Sequence, residues 1–160
     1  MANDCLFTLK VRGTNKRKVE AFLRAVKQGN YHYEHLSRIF EFYTNDDDLI
    51  KEENAYMGEY WGSCAWSVWS CMFEGNGTYY SDFKDSDNRK RTTIDRLCKK
   101  YGVRCEIFSE EYGIGFQEHY LIDELGCVIE NECLEAYEEE DGDEWKVVGG
   151  FGENYLCFSF

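Results

Sequence analysis

Two segments of the chain share one pattern, and that pattern limits the fold more than any other feature. Val19, Phe22, Leu23 and Val26 recur at i, i+3, i+4 and i+7 and run on to Gly29. Ile94, Leu97, Cys98 and Tyr101 repeat the spacing and meet Gly102 directly. Such spacing places four apolar side chains on one helical stripe. A glycine just beyond ends a helix through its left-handed conformation. Thr14 or Asn15 can cap the first helix, and Asp87 or Asn88 the second.

Strand patterns flank both helices. Cys5, Phe7, Leu9 and Val11 alternate with Thr8, Lys10 and Arg12, which predicts a strand over 5–12. Ser37–Tyr43 is a shorter candidate, broken by Asn45-Asp46-Asp47-Asp48. Residues 49–60 read either as a helical turn or as a surface loop. Tyr60–Phe73 is apolar on both parities, which predicts a central strand or one covered on both sides. After the second helix, Val103–Phe108 and Ile114–Ile122 alternate, and Cys127–Tyr137 can pair back as a hairpin. Glu138–Glu144 reads as an acidic turn. Tyr155–Phe160 alternates weakly and is expected to pair with the sheet.

The order strand, helix, strand, strand, helix, strand predicts an α+β fold with a ferredoxin-like split βαβ core. Its two helices cover one face of an antiparallel sheet, and extra C-terminal hairpin strands follow. The prediction is a single domain over 1–160 with an acidic C-terminal extension. With 160 residues and 43 % hydrophobic residues, the chain can bury a core. Proline is absent, where average usage gives about 8. Proline-rich recognition segments are therefore excluded.

Charge is the second informative feature. The formal net charge is −13, and residues 101–160 hold 2 basic and 16 acidic side chains, a local net of −14. A field of this sign repels nucleic acid and anionic membranes and attracts a basic protein surface. It also serves as a plain solubilising face. The opening MANDCLFTLKVR carries charges and no cleavage pattern, and no apolar run reaches the roughly 20 residues of a membrane span. The expectation is a cytoplasmic protein with no membrane partner.

Eight cysteines invite a disulfide reading. Their placement in apolar-periodic segments and the lack of a secretion signal favour buried free thiols. Cys98, beside Arg96 and Lys99-Lys100, is the least implausible reactive thiol. No Cys-x-x-Cys occurs. His32 and His35 could share a helical face, and a metal site there needs a third ligand such as Cys98 or Glu118, which nothing in the spacing demands. His119 and Glu118 have opposite parity in a strand, which separates them as an acid–base pair. Asp46-Asp47-Asp48 lacks the spacing of a calcium loop, and Gly149-Gly150-Phe151-Gly152 lacks the lysine of a phosphate loop. The sequence assigns no catalytic residue, no metal and no cofactor.

Several segments together resemble a known family. Met1-Ala2-Asn3-Asp4-Cys5 with Leu9-Lys10-Val11-Arg12-Gly13, then Trp61-Gly62-Ser63-Cys64-Ala65-Trp66, then Ser109–Glu118 (SEEYGIGFQE) resemble, in order, motifs of the Api92-like (YubB-like) group of phage and plasmid proteins. The resemblance covers most of residues 1–137. It implies a ferredoxin-like domain of mobile-element origin and supplies no catalytic residues.

These observations lead to an acidic protein-binding module that regulates or inhibits a basic host protein, such as a nuclease or other nucleic-acid-handling or defence protein, by mimicking nucleic acid. The expected contacts are Glu118, Glu130, Glu132, Glu135, Glu138, Glu139, Glu140, Asp141, Asp143 and Glu144. One alternative is a small enzyme whose site joins histidine, cysteine and carboxylate. Another is a structural module that dimerises by pairing Lys16-Arg17-Lys18 and Arg89-Lys90-Arg91, expected at one end of the domain, with the acidic region, or by joining sheet edges.

Overall fold

The computed structural model describes residues 3–28, 34–36, 39–43, 48–73 and 90–160. Strand β1 (Asp4–Gly13) lies inside an antiparallel sheet. Cys5, Phe7, Leu9 and Val11 are buried on its helix-facing side, as the alternation requires. Helix α1 (Lys16–Gln28) follows, with the Asn15 side chain accepting from the Lys18 N–H at 3.2 Å. Val19, Phe22, Leu23 and Val26 are all buried. The Gly29 stop lies outside the described residues.

Short strands β2 (Glu34–His35), β3 (Ile39–Phe42) and β4 (Ile50–Lys51) lead into β5 (Tyr56–Ala65). Residues 50–51 and 56–60 are thus sheet, where the sequence reads as a helical turn or a surface loop, and 61–65 are strand as expected. A five-residue helix α2 (Val68–Met72) and strand β6 (Lys90–Arg91) precede helix α3 (Ile94–Tyr101). Thr93 stands at the start of α3, and the Asp87 and Asn88 caps lie outside the described residues. Gly102 ends α3 with φ +63°, which lets the Val103 N–H reach back to the Cys98 carbonyl at 3.1 Å.

Strands β7 (Arg104–Glu111), β8 (Phe116–Ile122), β9 (Val128–Asp141) and β10 (Glu144–Gly149) complete the main sheet. Its order is β10-β9-β8-β7-β1-β5-β3, antiparallel throughout, with β4 also on β5. The block β7-β1-β5-β3 is the split βαβ arrangement. Helix α1 connects β1 to the β3 side, and α3 connects β5 to β7. The helices pack on each other, and α1 also packs on β1 and β5. Strands β8, β9 and β10 extend the β7 edge as the predicted C-terminal addition.

Three expectations are corrected. The apolar run 60–73 is not one strand. Strand β5 pairs with β1 only to Ala65, which faces Asp4, the first residue of β1. The Trp66 N–H still donates to the Asn3 carbonyl at 3.0 Å, but the chain turns at Trp66 (φ 68°), and the Ser67 hydroxyl caps α2 by accepting from the Ser70 N–H at 3.0 Å. Trp61 is largely exposed on the face away from the helices, so β5 is not covered on both sides either.

Lys16-Arg17-Lys18 and the backbone of Lys90-Arg91 do not share an end, and Arg89 lies outside the described residues. Gly13, before α1, lies against Val103, just after α3, so α1 starts where α3 finishes. Strand β6 pairs in parallel with β2, which follows α1.

Residues 155–160 form no strand. Gly149 and Gly150, both with φ near +70 to +80°, reverse the chain after β10. Any Cβ there would lie within 2.5 Å of the Glu135 carbonyl or the Gln117 side chain. The chain then crosses the face of β7 and β8 opposite the helices. There Phe151, Tyr155 and Phe158 each pack edge-on against Phe108, with ring centroids 5.1–5.8 Å apart.

Candidate functional site

Strands β9 and β10 form the most distinctive surface. Strand β9 pairs with β8 from Val128 to Glu135 and then continues with β10 alone to Asp141. A two-residue loop, Gly142-Asp143, closes the hairpin with Gly142 at φ +71°. Residues 138–141 are therefore strand, and the acidic turn expected over 138–144 shrinks to this loop.

Between Val128 and Glu144 stand nine carboxylates and no basic side chain. Glu130, Glu132, Glu135, Glu138, Glu139, Glu140, Asp141, Asp143 and Glu144 are all exposed. Because strand side chains alternate, the carboxylates line both faces rather than one. Lys146 approaches Asp141 at 3.5 Å across the ribbon. Apolar groups are interleaved with the charges. Trp145, 65 % exposed, lies opposite Glu140, and Val147 lies opposite Glu138. Among the described residues β10 pairs only with β9, which leaves it at the sheet edge.

Glu118, the tenth expected contact, does not belong to this surface. It is only 2 % exposed, on the helix-facing side of β8. One carboxylate oxygen accepts from the Val68 N–H (2.9 Å) and the Ser109 hydroxyl (2.6 Å). The other accepts from the Trp69 N–H (3.2 Å) and the Tyr120 hydroxyl (2.8 Å). Glu118 thus holds the start of α2, where free N–H groups favour an anion. It shares its strand parity with Phe116, Tyr120 and Ile122, yet the sequence reading counts it among the surface contacts. Only the docking of α2 shows that it is covered.

A cleft of about 370 Å³ opens beside this carboxylate, with Trp69, Phe116 and Tyr120 among its walls and Asn131 and Cys133 from β9. Tyr120 also contacts the Trp69 and Phe73 rings, with centroids 5.8 and 4.5 Å away. Burial, and next the charge of Glu118, push the Tyr120 hydroxyl well up. The same two causes, in the same order, raise the Cys133 thiol.

On the opposite face, Glu106 is another buried carboxylate, 1 % exposed. It accepts from the Ser159 N–H (2.6 Å) and the Ser159 hydroxyl (2.9 Å), and lies 2.9 Å from His119 Nε2. The His119 ring stacks on Phe108 at 4.3 Å. His119 and Glu118 do lie on opposite faces, and the histidine's carboxylate partner comes from the neighbouring strand. Burial raises the Glu106 carboxyl, but hydrogen bonds from His119 and Ser159 outweigh it and leave it below its ordinary value of 4.5. A carboxyl lowered on folding stabilises above its unfolded pKa and loses that contribution as pH falls through its folded value. Protection of the Ser159 amide against hydrogen exchange is accordingly expected to be full at pH 6 and lost well below pH 4.5. In Glu106→Gln it is expected to be weak at both.

The remaining candidates separate. Cys5, Cys64, Cys71, Cys98 and Cys105 are buried, while Cys127, Cys133 and Cys157 are exposed, and all eight are free thiols. Hydrogen bonds with Cys5 and Cys71, then burial, raise Cys64; burial, then Cys98, raises Cys105. Cys98 itself is fully buried, which removes it from attack on a solvent-borne substrate. His32, Asp46 and Asp47 lie outside the described residues, as does the side chain of His35.

Among the described residues no group of three or more histidine, cysteine and acidic side chains could hold a metal ion, and no helix is long and apolar enough to cross a membrane. No protein-family model, curated protein or solved structure matches the chain.

Proposed function

We propose that this protein is an acidic protein-binding module whose β9–β10 hairpin engages a basic, nucleic-acid-handling host protein and regulates or inhibits it. The observation that carries the reading is the run of nine exposed carboxylates without a basic side chain between Val128 and Glu144. Glu138, Glu139, Glu140 and Asp141 are consecutive in a strand. An antiparallel strand advances about 3.4 Å per residue, close to the roughly 3.4 Å per phosphate along one DNA strand. Because alternate carboxylates face opposite sides, each face carries about half that charge density, and the hairpin presents a line of negative charge on both sides. Trp145 and Val147 add apolar contact at the same place. Charge of this kind acts mainly on association rate and selectivity, and salt screens it. The resemblance to phage and plasmid proteins supports a mobile-element origin and a host target.

Capture from a nuclease-treated host lysate tests this. A basic nucleic-acid-handling protein recovered at low salt and lost at high salt is the expected result, with duplex DNA competing for it. Recovery unchanged by salt would contradict the mimicry. A dimerising module is the other reading supported by the edge position of β10. It calls for a size that shifts with protein concentration in the absence of host protein.

A further inference from the structure

We propose that the cleft between α2 and strands β8–β9 is a binding site for a small organic ammonium group, carried either by a free amine or by a lysine side chain. The site does not rest on the partner reading, and of the hairpin carboxylates Glu135, opposite Phe116, stands beside it.

Its shape comes first. The cavity of about 370 Å³ lies within the roughly 300–1,000 Å³ of small-molecule sites. The rings of Trp69, Phe116 and Tyr120 make apolar walls, and the exposed β9 residues Asn131 and Cys133 complete the lining.

Its charge comes second. Glu118 is buried, and all four of its close donors are neutral: two backbone N–H groups and two hydroxyls. Those bonds hold the carboxylate in place but add no cation. Burial first, and the charge of Glu118 second, push the Tyr120 hydroxyl and the Cys133 thiol away from their anionic forms. The carboxylate on the cleft wall, held by neutral donors, is what favours a cation over an anion inside it.

The class of guest follows from the two together. Aromatic walls attract an ammonium through the negative faces of their rings and accept its alkyl groups by burial. Glu118 acts on the charge through space, since its lone pairs are already engaged. A neutral guest of the same shape gains only the burial, and an anion is repelled. Metal ions, which need free oxygen ligands, find none on the saturated Glu118.

The test is a ¹H–¹⁵N NMR titration of the intact protein with choline, with n-butylammonium and with the neutral carbon isostere of choline, 3,3-dimethylbutan-1-ol. Saturable shifts of the Trp69 indole and Asn131 side-chain amides are expected with the cations, and at least tenfold weaker binding with the isostere. In Glu118→Gln the difference between choline and its isostere is expected to vanish. Cys133→Lys, at an exposed position, places a tethered ammonium at the cleft and is expected to abolish the saturable shifts whether or not the Gln variant folds. An isostere that binds as well as choline would overturn the proposal. So would shifts confined to Glu138–Asp141, or a titration unchanged by Cys133→Lys. The doubly blocked lysine N-acetyl-lysine-N-methylamide separates the sources. If it saturates like butylammonium, the cleft takes a lysine side chain; if only the small amines saturate, it takes a free amine.

Discussion

Replacing Glu118 by alanine is expected to destabilise the protein by about 3 kcal/mol, a large share of the roughly 5–15 kcal/mol that holds a domain folded. The substitution strips the acceptor from the Val68 and Trp69 N–H groups and from the Ser109 and Tyr120 hydroxyls at once. The hydroxyls can turn to other partners, and water entering the adjoining cleft can meet some of the loss. The two N–H groups at the start of α2 have less freedom. Glu118→Gln keeps one acceptor oxygen but aims an NH₂ group at donors, so about half the cost is expected. Urea denaturation measures both, and near-UV circular dichroism should register the loosening of Trp69 from Phe73 and Tyr120. A change within about 0.5 kcal/mol for Ala would show that α2 does not depend on this carboxylate.

Gly62→Ala is expected to cost a similar amount by a different route, about 2–4 kcal/mol. A Cβ at this position would lie 2.3 Å from the Glu41 carbonyl oxygen and 3.2 Å from the Phe42 Cα. Both are backbone atoms of β3, so relief requires moving the strand. Its register on β5 is already irregular between Ile39 and Glu41. Displacing β3 also withdraws Phe42 from its edge contacts with Phe7 and Tyr60, at 5.8 and 5.7 Å. Gly58→Ala is the control. Its Cβ would meet the Leu23 side chain at 2.6 Å, and a leucine methyl can rotate away, so about 1 kcal/mol is expected. Equal costs for the two glycines, by denaturation, would contradict the reading of β3 as pinned against Gly62.

The core was legible because its information is local. Alternation in 5–12 and the doubled helical stripe gave β1, α1 and α3, and the order of elements gave the split βαβ sheet. The parity argument also put His119 and Glu118 on opposite faces. What the sequence did not disclose depends on tertiary partners. The apolar run does not reveal its break after Ala65, where Trp66 takes φ 68°, Ser67 caps α2, and Glu118 from a distant strand holds the first turn of that helix. Glu118 reads like its acidic neighbours until α2 folds over it.

Glu106 reads as one more surface acid until Phe158 and Ser159 return across the sheet. Weak alternation in 155–160 looked like a strand, yet its aromatic side chains serve face packing on Phe108. Within the acidic region, the nine carboxylates of the hairpin needed no tertiary information, because β9 and β10 leave them in solvent on both sides.

The most direct measurement compares two variants of equal net charge against the captured host partner, following association rate as a function of salt. One carries Glu138→Gln, Glu139→Gln, Glu140→Gln and Asp141→Asn in the hairpin. The other carries Asp4→Asn, Glu53→Gln, Glu124→Gln and Glu153→Gln, exposed positions outside it. Tenfold or slower association and a flattened salt dependence in the hairpin variant alone is the predicted result. Equal slowing in both variants, or none in either, would contradict a binding role for the hairpin.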